Sequence, residues 1–441
     1  MRRGAIWLTA VALLAALCSC TEPSPDTPQE VAGTSSPAAS ETQPALAGEV
    51  EVFSWWTAGA QARGLEALLG VFKEKYPQVN FVNSAVTSGG GTGQDLLAQR
   101  LENGQPPDSF QLHAGAEAAD YIAAKQVTDI TLLYEEFGLE EAFPAELRKL
   151  VTVDDKAYAI PTDVHRANVL WANVKLLQAA GLPADKIEFA DIDSFLSVLA
   201  QIRERTPTVT PLAVGNTWCQ VHLFETVLLA DLGAAKYRGL FEGTADWNGP
   251  EVAAAIGHFA ALLGYANTDR DLLDWEPAAQ LLADGRAAFN IMGDWMPELL
   301  DSKGMVAGTD YLWAPAPGTL GAFDFVADSF PLAEGAPHPA TAKAWLEVVA
   351  SAAGQVALSK AKGSIPARSD IDLSEFSAYQ QASAYSYSHD ELVGSLQHGA
   401  MAGIAQVDAV GQAVAKFAAT PMGAADQGTF QADLAAVFTA G

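Results

Sequence analysis

The run Val50-Glu51-Val52-Phe53-Ser54-Trp55-Trp56 alternates apolar and polar residues as a strand does, and the pattern breaks at Gly59. The next fifty residues decide the fold class. Residues 61–75 place Leu65, Leu68, Leu69 and Phe72 on one helical face, and 79–86 read as a second strand. A glycine-rich run, 88–93, leads into a helix over 94–103. Then Pro106-Pro107-Asp108-Ser109-Phe110-Gln111-Leu112-His113 supplies a short third strand. The order β-α-β-α-β predicts a parallel sheet covered by helices, an open α/β domain. Ligands of such sheets bind outside the carboxyl ends of the strands. Those ends carry Trp55, Trp56, Gln111 and His113, the first functional signal.

Outward from this stretch, Tyr158-Ala159-Ile160-Pro161-Thr162-Asp163 reads as an extended crossing segment. Helices near 174–180, 192–204 and 252–263 then alternate with apolar strands such as 210–214 and 287–292. No repeat of 20–50 residues is present. The chain has 441 residues, 49% of them hydrophobic and 18% charged, which fits a globular body of two or three domains. Its formal net charge of −28 repels phosphate backbones and excludes nucleic acid as a natural partner.

The N-terminus has its own logic. Arg2 and Arg3 precede an apolar run over 5–17, too short to span a bilayer core of ~30 Å. Leu17-Cys18-Ser19-Cys20 resembles a bacterial lipobox, which predicts a signal peptide over 1–19, cleavage after Ser19 and a diacylglyceryl group on Cys20. Loss of Arg2 and Arg3 takes the basic count from 25 to 23 against 53 acidic residues, a mature charge of −30. The Pro-, Ser- and Thr-rich segment 20–48 reads as a disordered tether. Three cysteines cannot build a disulfide framework, and Cys219 beside Trp218 reads as a packed small hydrophobe.

Candidate chemistry is sparse. The run 88–93 lacks the Lys-Ser/Thr ending of a phosphate loop and reads as a turn. The seven histidines form no HxxxH or HExxH pair, so no metal is expected, and no nucleophile elbow occurs. Tryptophans are more informative. Trp55 and Trp56, read as strand residues, point to opposite faces; Trp275 falls in a loop and Trp295 at a strand end. An indole stacks on the C–H face of a pyranose while carboxylates, amides and Lys bond its hydroxyl rim.

On these residues the chain resembles the extracytoplasmic solute-binding proteins of bacterial carbohydrate ABC importers, the maltose-binding-protein-like group, and within it the glucose-binding branch. The resemblance covers about 49 to the C-terminus. It is carried by Phe53-Ser54-Trp55-Trp56-Thr57, Ser88-Gly89-Gly90-Gly91 and Gly104-Gln105-Pro106-Pro107. Further on it is carried by Ile160-Pro161-Thr162-Asp163-Val164-His165-Arg166-Ala167-Asn168, Asn290-Ile291-Met292-Gly293-Asp294-Trp295, Ala327-Asp328-Ser329 and Lys362-Gly363-Ser364-Ile365-Pro366-Ala367-Arg368.

The resemblance implies a periplasmic-binding-protein-like α/β fold of two lobes joined by a hinge, with the ligand cleft between them. The first lobe would take 49–162 plus 328–375 and the second 163–327 plus 376–441. Sugar contacts carried over fall on Trp55, Trp56, Gln111, His113, Trp275, Asp328, Lys362 and His398, with Arg166, Asp294 and Trp295 beside them. Gln61 stands where glucose-binding relatives often carry Glu, which leaves the sugar preference open. Asp163 faces either the cleft or the hinge. The expected function is a non-enzymatic receptor, a monomer without cofactor, tethered to the membrane by its lipid alone. It would capture a monosaccharide such as glucose and deliver it to a permease. The alternatives are an extracellular carbohydrate-active enzyme, a binder of galactose or a short oligosaccharide, or a receptor for sugar sensing.

Overall fold

The computed structural model describes residues 46–86 and 92–439. The signal peptide 1–19, the lipidation site Cys20, nearly all of the tether and most of the run 88–93 lie outside the described residues. Three parallel strands form the expected opening sheet: β1 (Gly48–Phe53), β2 (Val79–Asn83) and β3 (Ser109–Phe110), in the order β2-β1-β3. The helix Gly59–Lys75 crosses from β1 to β2 and buries Leu65, Leu68 and Phe72. Each such side chain stabilises the fold by about 1.5–3 kcal/mol.

Two details depart from the sequence reading, and both concern the candidate site. β1 stops at Phe53, so Trp55 and Trp56 occupy the turn beyond it and strand alternation does not set their directions. Gln111 sits at the stop: its N–H donates to the Phe53 carbonyl at 2.8 Å, and its Oε1 accepts from the Trp55 N–H at 3.2 Å. The third strand is also split. After Gln111, β4 (Leu112–His113) leaves the first sheet and pairs with another.

A small hairpin, β5 (Thr152–Val153) and β6 (Lys156–Ala157), leads into β7 (Ala159–Arg166), whose eight residues are all buried. A second sheet comes next, made of β8 (Val169–Asn173), β9 (Thr210–Ala213), β10 (Ala287–Ile291) and β11 (Tyr311–Pro315) in the order β11-β8-β10-β9. The chain then returns along β12 (Ala322–Pro331), buried throughout, which runs antiparallel to β7. β13 (Ile365–Pro366) extends β7 on its other side, and β14 (Glu391–Gly394) runs parallel to β12.

Two hydrophobic cores flank this central sheet. One draws mainly on 50–164 and 323–367, around Phe53, Trp56, Phe72, Phe110, Phe330 and Trp345. The other draws mainly on 170–322 and 393–435, around Phe195, Phe224, Phe259, Phe289 and Phe430. Cys219 is buried in a third cluster with Trp171 and Trp295, and burial pushes its thiol up, as a packed hydrophobe requires. Contacts also join the cores directly: the Glu117 N–H donates to the Gly399 carbonyl at 2.8 Å, and Arg63 pairs with Glu298 at 2.8 Å. Among the described residues, no helix is long and apolar enough to cross a membrane.

Candidate functional site

The site is built on the β7–β12 pair. Side chains two apart on a strand share a face, so Asp163 and His165 project together from β7. On β12 the cross-strand partner of Asp163 is Asp328, next to a register shift between Asp328 and Ser329. Two buried carboxylates directly opposite one another repel unless a cation lies between them. Lys362 is that cation. Its Nζ donates to Asp163 at 2.8 Å and also to Asp328, while lying 4.1 Å from the centre of the Trp56 ring.

Lys362 ends the helix Ala352–Lys362, and Gly363 at φ 93° closes that helix in the left-handed conformation only glycine adopts freely. The chain then pairs as β13 against β7. The Lys-Gly-Ser-Ile-Pro motif is therefore a helix stop that aims one ammonium group at the central sheet. Burial works to raise the Asp328 carboxyl, but Lys362, His113 and His165 hold it well below the usual range. Burial likewise works against the Lys362 cation, and Asp163 and Asp328 outweigh it, so the ammonium is held above its ordinary value.

Around this clamp the first core adds a polar rim. Gln111 Nε2 donates to Asp328 Oδ1 at 2.6 Å, and His113 Nε2 lies 3.7 Å from the same oxygen. His113 Nδ1 contacts Glu117 at 2.7 Å; burial opposes its charge, but Glu117 and then Asp328 prevail and raise its pKa. The half-buried Trp55 lies 5.4 Å from the His113 ring, centre to centre.

Across the clamp, His165 Nδ1 bonds Asp294, whose carboxylate also accepts from the Arg166 N–H at 3.0 Å. Asp294 belongs to Met-Gly-Asp-Trp, and the glycine there has a steric reason: a β-carbon on Gly293 would collide with the Trp295 ring. Arg166 turns away from the clamp, donating to Asn168 at 3.0 Å and to the Ala322 carbonyl at 2.8 Å.

The opposite wall is aromatic. His398 lies 5.7 Å from the rings of both His113 and His222, 5.5 Å from Trp295 and 6.0 Å from Trp218. Trp295 in turn lies 6.3 Å from Trp275. Trp275 begins the helix Trp275–Ala283 rather than sitting in a loop, because Asp274 caps that helix by accepting the Trp275 N–H. Burial pushes His222 down to about 4 and His398 well below its ordinary range, because it disfavours the charged ring. The Trp56 and Trp295 Nε1, the His222 Nδ1 and the His398 Nε2 are buried without a hydrogen-bond partner among the described residues.

Of the candidates read from sequence, Trp55, Trp56, Gln111, His113, Asp328, Lys362, His398, Asp294, Trp295 and Trp275 are brought into one continuous cluster. Arg166 adjoins it mainly through its backbone. Gln61 does not join by any side-chain bond: it is half-buried on the first helix, and its side chain makes no hydrogen bond to a described residue. Sequence reasoning misses His165, His222, Glu117 and Trp218, which belong to the same cluster. The i, i+2 spacing of Asp163 and His165 on a strand is the signal that could find the first of them.

The chain has relatives in both sequence and fold. The family model described as bacterial extracellular solute-binding protein matches residues 35–356. An uncharacterized ABC transporter extracellular-binding protein of Pyrococcus horikoshii is 33% identical over 84% of this chain and 83% of its own. A probable sugar-binding periplasmic protein of Rhizobium meliloti is 28% identical over 79% of this chain and 84% of its own. Among solved structures, the solute receptor AcbH, described with an exclusive preference for β-D-galactopyranose, superposes with a TM-score of 0.76 at 16% identity. That match covers 88% of this chain and 97% of AcbH, and it shows a common two-lobed fold.

Proposed function

The chain belongs to the bacterial extracellular solute-binding protein family, and we propose that it is the sugar receptor of an ABC importer, capturing a monosaccharide with glucose first among the candidates. The observation that carries this reading is the buried cluster itself. Asp328, Lys362, Gln111 and His113 offer charged and neutral groups for a hydroxyl rim, and the indoles of Trp55, Trp275 and Trp295 offer a surface for the C–H face. The unpaired Nε1 of Trp295 is a further group that a sugar hydroxyl would satisfy.

In this reading 49–162 plus 328–375 and 163–327 plus 376–441 are the lobes, and β7 and β12 are crossing segments of the hinge. Closure would be held by Arg63–Glu298 and by the Glu117–Gly399 contact. A sugar touching both walls binds the closed state better than an open one, and that difference drives closure. A lipid on Cys20 and the tether would keep the receptor beside its permease.

The test is a panel of monosaccharides and disaccharides, read by thermal shift and by chromatography of the recovered sugar. A raised Tm with glucose and unaltered sugar supports the reading. A response only to galactose or to oligosaccharides would move the specificity, and turnover would replace the receptor with an enzyme.

A further inference from the structure

His222 and Glu225 lie three residues apart on the helix Thr217–Glu242, so they project from one helical face. The segment after β14 brings His398 against them. One nitrogen of each imidazole and one Glu225 oxygen all lie within 4.8 Å of one another, with His222 Nδ1 and Glu225 Oε1 3.5 Å apart. Donors bound tetrahedrally at 2.0–2.1 Å sit roughly 3.3–3.4 Å from each other. The His222–Glu225 separation already matches that spacing.

The hydrogen bonds around these groups leave acceptors unused. The Ala167 carbonyl can only accept, so His222 Nε2 carries the proton at that 3.1 Å contact and Nδ1 presents a lone pair to Glu225. That Nδ1 and His398 Nε2 are both buried with no partner among the described residues. Glu225 is oriented from behind by the Ser395 hydroxyl at 2.9 Å and the Gln397 N–H at 2.8 Å. Three side chains therefore converge, two of them with a ring nitrogen that has no partner among the described residues. His222 and Glu225 are each held by an outer hydrogen bond, as metal ligands are. Two imidazoles and one carboxylate suit a borderline divalent ion rather than Mg²⁺ or Ca²⁺.

We propose that the chain binds a divalent transition ion of the zinc class at His222, Glu225 and His398. The distance of His398 from the other two along the chain hides this site from the sequence. The proposal does not rest on the sugar reading, although His398 belongs to both.

The experiment strips the full chain with a chelator and titrates Co²⁺ without any sugar. The expected result is one equivalent bound, visible d–d bands, and X-ray absorption showing two imidazole ligands. Zn²⁺ should abolish the bands and raise the Tm as its concentration rises. His222→Gln and Glu225→Gln should each remove the bands. Ser395→Ala, which keeps every ligand, should weaken Co²⁺ binding by about 10–100-fold.

Wild-type protein that shows neither bands nor a Tm change with excess ion overturns the proposal, whatever the variants do. So does a spectrum without imidazole, or bands that persist in both ligand variants. Because no sugar is present, these outcomes leave the receptor reading untouched. A sugar panel run in chelator, conversely, leaves the ion proposal untouched.

Discussion

The two walls of the cluster are built differently. On the side of Asp328 the charged groups pair with one another: Lys362 is shared by Asp163 and Asp328, and Gln111 and His113 close on the same carboxylate. On the side of His398 most of the groups are aromatic rings, and several polar atoms have no partner among the described residues. Satisfied buried ion pairs are costly to break and hold one geometry. Unsatisfied neutral groups are costly to keep buried and gain when something arrives to bond them. The contrast teaches that the first wall is set before any ligand enters, and that the second is where occupancy changes the free energy.

The largest expected effect breaks the first wall. Lys362→Met keeps much of the volume but leaves Asp163 and Asp328 facing each other in the central sheet. The cost should be about 3–5 kcal/mol of stability, read as a lower Tm without ligand, together with lost sugar affinity. Unchanged melting would show that the clamp is not structural.

Next, Gly293→Ala strikes the second wall by forcing the Trp295 ring aside. Overpacking of this kind costs about 1–3 kcal/mol, and the tryptophan fluorescence of the apo protein should shift with it. A variant with native melting and spectrum would remove Trp295 from its assigned place.

A gentler probe of the first wall is pH. The folded pKa of Asp328 lies below its unfolded value of about 3.9. Its stabilisation is therefore fully present above that value and is lost as pH falls through the folded pKa. The Tm of the wild type should fall more steeply below about pH 4 than that of Asp328→Asn. Parallel slopes would contradict the assignment.

The smallest effect concerns the latch between the walls. Arg63 is well exposed in its pair with Glu298, so Arg63→Ala should cost only about 0.2–1 kcal/mol. The loss should appear as a slightly faster sugar off-rate, and a loss of several kcal/mol would mean that the latch does more than hold the walls together.

How far the sequence carries differs between these same regions. The opening sheet is legible because hydrophobic periodicity and strand order are local. The split of 109–113 is not, because β4 leaves for β12, about two hundred residues away. The motifs around Asp328, Lys362 and Asp294 are legible as a resemblance, but their physical reasons need the fold: a glycine helix stop at Gly363 and a ring against Gly293. The histidine cluster stays hidden. His222 and Glu225 share a helix at i, i+3, yet nothing in their spacing points to His398.

Walls that enclose a sugar without altering it should bind glucose, and calorimetric titration of glucose into the purified chain measures this. The expected result is saturable binding at one site, lost in Lys362→Met, with the sugar recovered intact. No heat from glucose or from any other monosaccharide, or recovery of a converted product, would contradict it.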